Sequence, residues 1–71
     1  MTKYFIEDFA PPGRKPYLIR HRDGVFIERY NYESSRWIQD SDMLQIYTGD
    51  IESRPITEKE VKETIEQYKS A

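Results

Sequence analysis

The run KYFIEDF, residues 3–9, concentrates aromatic and β-branched side chains and predicts a first strand. It stops at APPGRKP, 10–16, where three prolines and a glycine cannot continue a ladder that needs N–H donors. Two more β-rich runs, YLIRHR (17–22) and VFIERYNY (25–32), flank Asp23-Gly24. That pair favours a tight hairpin with both turn residues at positive φ. Two registers are open. A two-residue turn pairs Arg22 with Val25 and puts Tyr17, Ile19, Phe26, Tyr30 and Tyr32 on one face. A three-residue loop with a bulge pairs His21 with Val25 and sets Ile19 opposite Ile27. In both, strand alternation keeps Arg20 and Arg22 on the face of Leu18, and Glu28 on that of Phe26, Tyr30 and Tyr32.

A second short hairpin follows, turning at Glu33-Ser34-Ser35 and returning through Arg36-Trp37-Ile38-Gln39. In DSDMLQIYTGD (40–50), Asp40 or Ser41 is a good N-cap and Gly49 a left-handed stop. Met43, Leu44 and Tyr47 fall at helical spacing, giving a helix of about two turns that needs packing to persist. In RPITEKEVKETIEQYKSA, Thr57 and Glu60 form a capping box, and Ile56 can staple to Val61. Val61, Ile65 and Tyr68 make one apolar face, and Glu58–Lys62 is an i,i+4 pair in the favourable order.

These elements predict a small α+β domain covering residues 1–71. An antiparallel meander of three or four strands (3–9, 17–22, 25–32, 36–39) leads to a short helix (41–48) and a C-terminal amphipathic helix (57–69). Both helices are expected on one sheet face. The expected core is Phe5, Ile19, Ile27, Trp37, Leu44, Tyr47, Ile56, Val61 and Ile65.

With 71 residues there is one domain at most, and a chain of this size buries only about 60% of its unfolded surface. There are no cysteines to staple that small core, and their absence fits a reducing compartment. The start, MTKYFIEDFAPPG, lacks the apolar stretch of a secretory leader, and no run reaches membrane-span length. The expectation is a soluble cytoplasmic protein, the whole product of a short reading frame, with no membrane partner. Charge is uneven: residues 1–37 hold seven Lys/Arg against five Asp/Glu, and residues 38–71 hold four against eight.

The candidate chemistry is sparse. His21 is the one histidine and lies at a strand end beside a turn. Neither a second nitrogen or sulfur ligand nor a dense oxygen cage accompanies it. Asp40, Asp42 and Asp50 do not fit a calcium loop, because Leu44 and Gln45 fall where an oxygen ligand and glycine belong. Gly13, Gly24 and Gly49 are isolated, so there is no phosphate loop, and the proline stretch lacks PxxP spacing. No catalytic, metal or cofactor residue is assigned, and no cofactor is expected.

One surface remains as a candidate. Arg20, Arg22, Arg29, Tyr30, Tyr32, Arg36 and Trp37, with Arg14, Lys15 and Tyr17 nearby, combine the cations and rings that grip single-stranded nucleic acid on a sheet. The same rings are preferred strand residues and core material, and Glu28 and Glu33 stand among them.

The D-G hairpin, RWIQD, DMLQIYTGD and ITEKEV together resemble a loose group of short bacterial proteins. Their order is strand, DG turn, strand, W-[IV]-x-D, short helix, glycine, acidic stretch and an I-[ST]-x-x-E helix. The resemblance covers residues 17–68. It implies a bacterial cytoplasmic origin and a shared small fold, and carries no activity or residue role.

The functional expectation is a non-catalytic interaction or accessory domain, binding a protein partner or a second copy of itself. The alternative is a single-stranded nucleic-acid-binding module. That alternative requires Tyr30, Tyr32 or Trp37 to be exposed beside at least two arginines. An enzymatic reading would require a deep pocket holding His21 with a carboxylate in hydrogen-bond reach.

Overall fold

The computed structural model describes residues 1–69. Five strands, β1 (Lys3–Glu7), β2 (Leu18–His21), β3 (Glu28–Asn31), β4 (Arg36–Gln39) and β5 (Ser53–Ile56), form one sheet in the order β4-β3-β2-β1-β5. Every neighbouring pair is antiparallel. A 3-10 turn (Ser41–Leu44) runs into a short helix, α1 (Gln45–Thr48), and the C-terminal helix α2 spans Glu58–Lys69. The α+β class, the meander and both helices match the sequence reading.

The sheet has one strand more than expected. SRPI at 53–56 reads poorly as a strand because Pro55 has no N–H to give. It pairs along β1, with Phe5 opposite Pro55 and Tyr4 opposite Ile56, at the sheet edge where a proline is tolerated. The Asp23-Gly24 hairpin also departs from both expected registers. Ile19 lies opposite Arg29 and Arg20 opposite Glu28, so residues 22–27 form a longer connection. The Val25 N–H still bonds the Arg22 carbonyl at 3.0 Å. Gly24 has φ +69°, but Asp23 keeps a negative φ, so this is not the tight turn with two left-handed residues. The register preserves the alternation: Leu18 and Arg20 share a face with Glu28 and Tyr30, while Tyr17 and Ile19 lie on the other.

The helices cover opposite faces of the sheet, not the same one. Leu18, Tyr30 and Val61 are buried together under α2, with Tyr4, Ile6, Tyr32, Trp37, Ile56 and Ile65 packed around them. Ile19, Ile27 and Met43 are buried on the reverse face, with Phe5, Tyr17, Ile46 and Ile51. Leu18 and Ile19 are adjacent in the chain and both 0% exposed, so the middle of the sheet is sealed on both sides.

Two expected core residues are outside. Leu44 and Tyr47 are 48% and 52% exposed, and Met43 and Ile46 face the sheet instead. A 3-10 turn stacks residues three apart, which turns the inward stripe from 43/44/47 to 43/46. The caps form as the sequence specifies. Asp40 Oδ1 accepts from the Asp42 N–H at 3.1 Å, and Gly49 ends α1 at φ +87°. Thr57 Oγ1 accepts from the Glu60 N–H at 3.1 Å, while Glu60 Oε1 accepts from the Thr57 N–H at 3.1 Å.

Because each cluster has so few buried members, a cavity at either centre should be costly. We expect Leu18→Ala to lose about 2–5 kcal/mol. Leu44→Ala should lose about 1 kcal/mol or less, because it removes no buried contact of the sheet. Urea midpoints of the two variants against wild type give the comparison, and equal losses would contradict the placement of Leu44 outside the core.

Candidate functional site

The structure separates the candidate surface into two faces. Arg20, Arg22, Tyr30, Tyr32 and Trp37 lie on the α2 side, whereas Arg29 and Arg36 lie on the reverse side. On the α2 side the rings build an internal chain. Tyr4 meets Trp37 at 6.2 Å between centroids, Trp37 meets Tyr30 at 5.2 Å, and Tyr30 meets Tyr32 at 5.3 Å. Tyr32 then meets Tyr68 of α2 at 6.0 Å. Tyr30 is buried, while Tyr32 and Trp37 are half-buried. The Tyr32 hydroxyl donates to the Pro16 carbonyl at 2.8 Å. Burial, with Tyr68 and Tyr30 beside it, pushes the Tyr32 phenol above its usual value, so it stays a neutral donor. Of the three rings Tyr30 is buried, Trp37 carries the Arg20 guanidinium over its ring and Tyr32 the Lys15 ammonium.

The arginines are held by acids. Arg20 Nε donates to Glu28 Oε1 at 3.0 Å, Arg22 reaches the same oxygen at 3.2 Å, and the Arg20 guanidinium lies 4.7 Å over Trp37. Arg29 Nε donates to Asp40 Oδ2 at 2.9 Å. Arg36 is exposed at the sheet edge.

The proline loop adds a shallow cleft of about 570 Å³ against β3 and the 3-10 turn. Tyr17 stands in it with two guanidiniums against its ring, Arg14 at 4.1 Å and Arg29 at 5.6 Å. Arg14 is bonded to Glu7 at 2.8 Å and Arg29 to Asp40 at 2.9 Å, so each of these guanidiniums already has a carboxylate partner. Lys15 lies 5.2 Å over the Tyr32 ring.

His21 Nδ1 bonds the Tyr47 hydroxyl at 2.8 Å, a phenol rather than a carboxylate. The groove it lines, of about 160 Å³, contains Val25, Phe26, Ile27, Gln39, Ser41 and Leu44. Among the described residues no cluster of three His, Cys, Asp or Glu could hold a metal ion. No helix among them is long and apolar enough to cross a membrane.

The distinctive surface is apolar. Phe26 is 71% exposed in the hairpin connection, beside Val25 at 40%, and both share the His21 groove with Leu44. The His21–Tyr47 hydrogen bond links that groove to a second of about 550 Å³, formed by Tyr47 with Thr2, Lys3, Tyr4, Phe5, Pro55 and Ile56. Among the described residues no carboxylate lines either groove, and Lys3 and His21 are their ionisable rims apart from phenols. Sequence reading missed this band because it placed Leu44 and Tyr47 in the core and Phe26 in a strand. The available signal was Ile46, an apolar residue three positions after Met43 that competes for the inward stripe.

Comparison with known proteins finds no matching family model, no matching curated protein and no matching solved structure.

The Glu28 clamp yields a pH test. Its hydrogen bond from Arg20 holds the carboxyl below its usual range; burial opposes this, and the charges of Arg20 and Arg22 add to the lowering. A depressed folded value means the stabilisation is fully present above the unfolded carboxylate range. It is lost as pH falls through the folded value. We expect Glu28→Gln to cost about 1–2 kcal/mol at pH 7, because Arg20 loses a charged partner while half-buried. Urea midpoints at pH 7 and pH 3 should differ less in the variant than in wild type. An unchanged difference would show that Glu28 contributes nothing to the acid limb.

Proposed function

We propose that this chain is a non-catalytic, cytoplasmic protein-interaction domain that engages its partner through the apolar band of Val25, Phe26, Leu44 and Tyr47. The observation that carries this reading is the exposure of four large apolar side chains on linked grooves, in a protein whose core is otherwise too small to spare them. Contiguous apolar surface with a polar margin is the usual mark of a docking site. The lining selects the partner's chemistry. With Lys3 and His21 at the rim and no lining carboxylate among the described residues, the complementary segment is apolar with acidic residues at its margin. The sheet supports the band from behind, since Ile27 and Phe5 belong to the cluster beneath it.

The single-stranded nucleic-acid alternative draws its support from composition alone. Its rings are packed under α2 and its arginines, apart from Arg36, bear on carboxylates.

Position-specific photo-crosslinking tests the proposal. A benzophenone side chain at Phe26 or at Leu44 should yield one discrete protein adduct in cells, and the same group at Glu63 on α2 none. The identified partner, purified, should bind the wild-type chain and bind the Phe26→Ser, Leu44→Ser double variant at least about tenfold more weakly. Adducts equal at all three positions, or absent from Phe26 and Leu44, would overturn the assignment. A titration with mixed-sequence single-stranded RNA at physiological salt should leave the amide spectrum unchanged.

A further inference from the structure

The two edges of the sheet are not equivalent. At β5, the Asp8 N–H bonds the Glu52 carbonyl at 2.9 Å, which fixes the even-numbered residues of β5 as the ones bonded inward to β1. Ser53 and Pro55 therefore face outward, and Pro55 has no N–H to offer. That edge is blunted. At β4, the Asp40 N–H bonds the Ile27 carbonyl at 3.1 Å, so residues 36, 38 and 40 bond inward to β3. Trp37 and Gln39 present both their N–H and C=O groups outward, with no proline in the strand.

We propose that β4 pairs with β4 of a second copy, antiparallel across a two-fold axis normal to the sheet. This deepens the interaction-domain reading and rests on it for a biological role, although of the β4 residues only Gln39 also lines a groove of the apolar band. The two-fold requires paired residues of the same parity, since partners must point to the same face. The outward groups and the side chains select one register. Trp37 pairs with the partner's Gln39, and the reciprocal pair gives four backbone hydrogen bonds in all. Ile38 then lies against the partner's Ile38 on the axis. Arg36 lies directly opposite the partner's Asp40.

The row Arg36, Ile38, Asp40 is self-complementary when reversed. Ile38 is 41% exposed and Arg36 is exposed, so both are available. Asp40 holds Arg29 with Oδ2, and an added guanidinium makes it an acid between two cations. The Arg36/Asp40 and Ile38/Ile38 sites are non-hydrogen-bonded pairs, in which opposed side chains approach most closely. Trp37 points to the other face and stays in its cluster under α2, so pairing disturbs no core residue. Two five-stranded sheets would become one continuous sheet.

Sedimentation velocity over a concentration series, with amide exchange of Trp37 and Gln39 at both ends of the series, tests the proposal. Wild type should shift from monomer to dimer, and those two amides should become protected in step with it. Ile38→Lys sets two like charges together on the axis and should raise the dissociation constant at least about tenfold. Arg36→Glu should do so more weakly, and the effect should grow at low salt. Both positions are exposed, and an unchanged urea midpoint under monomeric conditions checks that the variants fold. A wild-type chain that stays monomeric up to about 1 mM would overturn the proposal, because association weaker than this is below about 4 kcal/mol. So would a dimer indifferent to Ile38→Lys, or one in which Trp37 and Gln39 exchange stays fast. Adducts at Phe26 that persist in any of those cases would leave the interaction-domain reading standing.

Discussion

Leu18 and Ile19 are consecutive, point to opposite faces, and are both sealed from solvent. A strand with that property must lie inside its sheet and be covered above and below, and in 69 described residues there is little to cover it with. Helix α2 takes one face and the 3-10 turn with α1 takes the other. Each face closes on three buried residues and a ring of half-buried ones. Splitting the helices between faces is thus imposed by β2. The cost is that the 3-10 turn and the one-turn α1 cannot bury all their apolar residues, and Leu44 and Tyr47 are left half exposed.

The charged residues act as fasteners at the margins of this thin core. Glu7, Glu28 and Asp40 each hold an arginine that also lies on, or beside, an aromatic ring. In each case a carboxylate fixes a guanidinium, and the guanidinium lies against a ring that the core clusters bury only in part. A basic-aromatic composition therefore has a structural use here, as a second layer over exposed ring faces. The same residues that suggest nucleic-acid affinity in the sequence are consumed by this arrangement. Arg36, alone on the β4 edge, is the exception.

How much of this was legible follows from what each signal depends on. Caps are local chemistry, and Asp40, Gly49 and the Thr57–Glu60 box stand where the sequence puts them. The strand runs at 3–9, 17–22 and 25–32 contain β1 to β3, trimmed at their ends, and β4 fills the run at 36–39. Strand β5 was hidden because its pairing is tertiary: Ser53–Ile56 has weak propensity and becomes a strand only through β1. The face taken by each helix was hidden for a related reason. Leu18 and Ile19 read equally well as one buried residue and one exposed one, and only the two-sided cover decides. The apolar band followed from that error, since a residue assigned to the core cannot be seen as surface. Among the seven candidate surface residues, alternation correctly grouped Arg20 and Arg22 with Leu18, but carried no information on which cations would find acids.

The order β4-β3-β2-β1-β5 also sets a sequence of events. Strands β2, β3 and β4 join through neighbours in the chain, whereas β1 meets β5 across some fifty residues, Phe5 against Pro55. Such a closure pays its loop entropy before any contact repays it, and it comes late in folding. On the ribosome β1 can pair with β2 while its other flank stays bare until Ser53–Ile56 has emerged. For that interval the nascent chain shows two open edges, and the weak, proline-bearing β5 is the element that retires one of them.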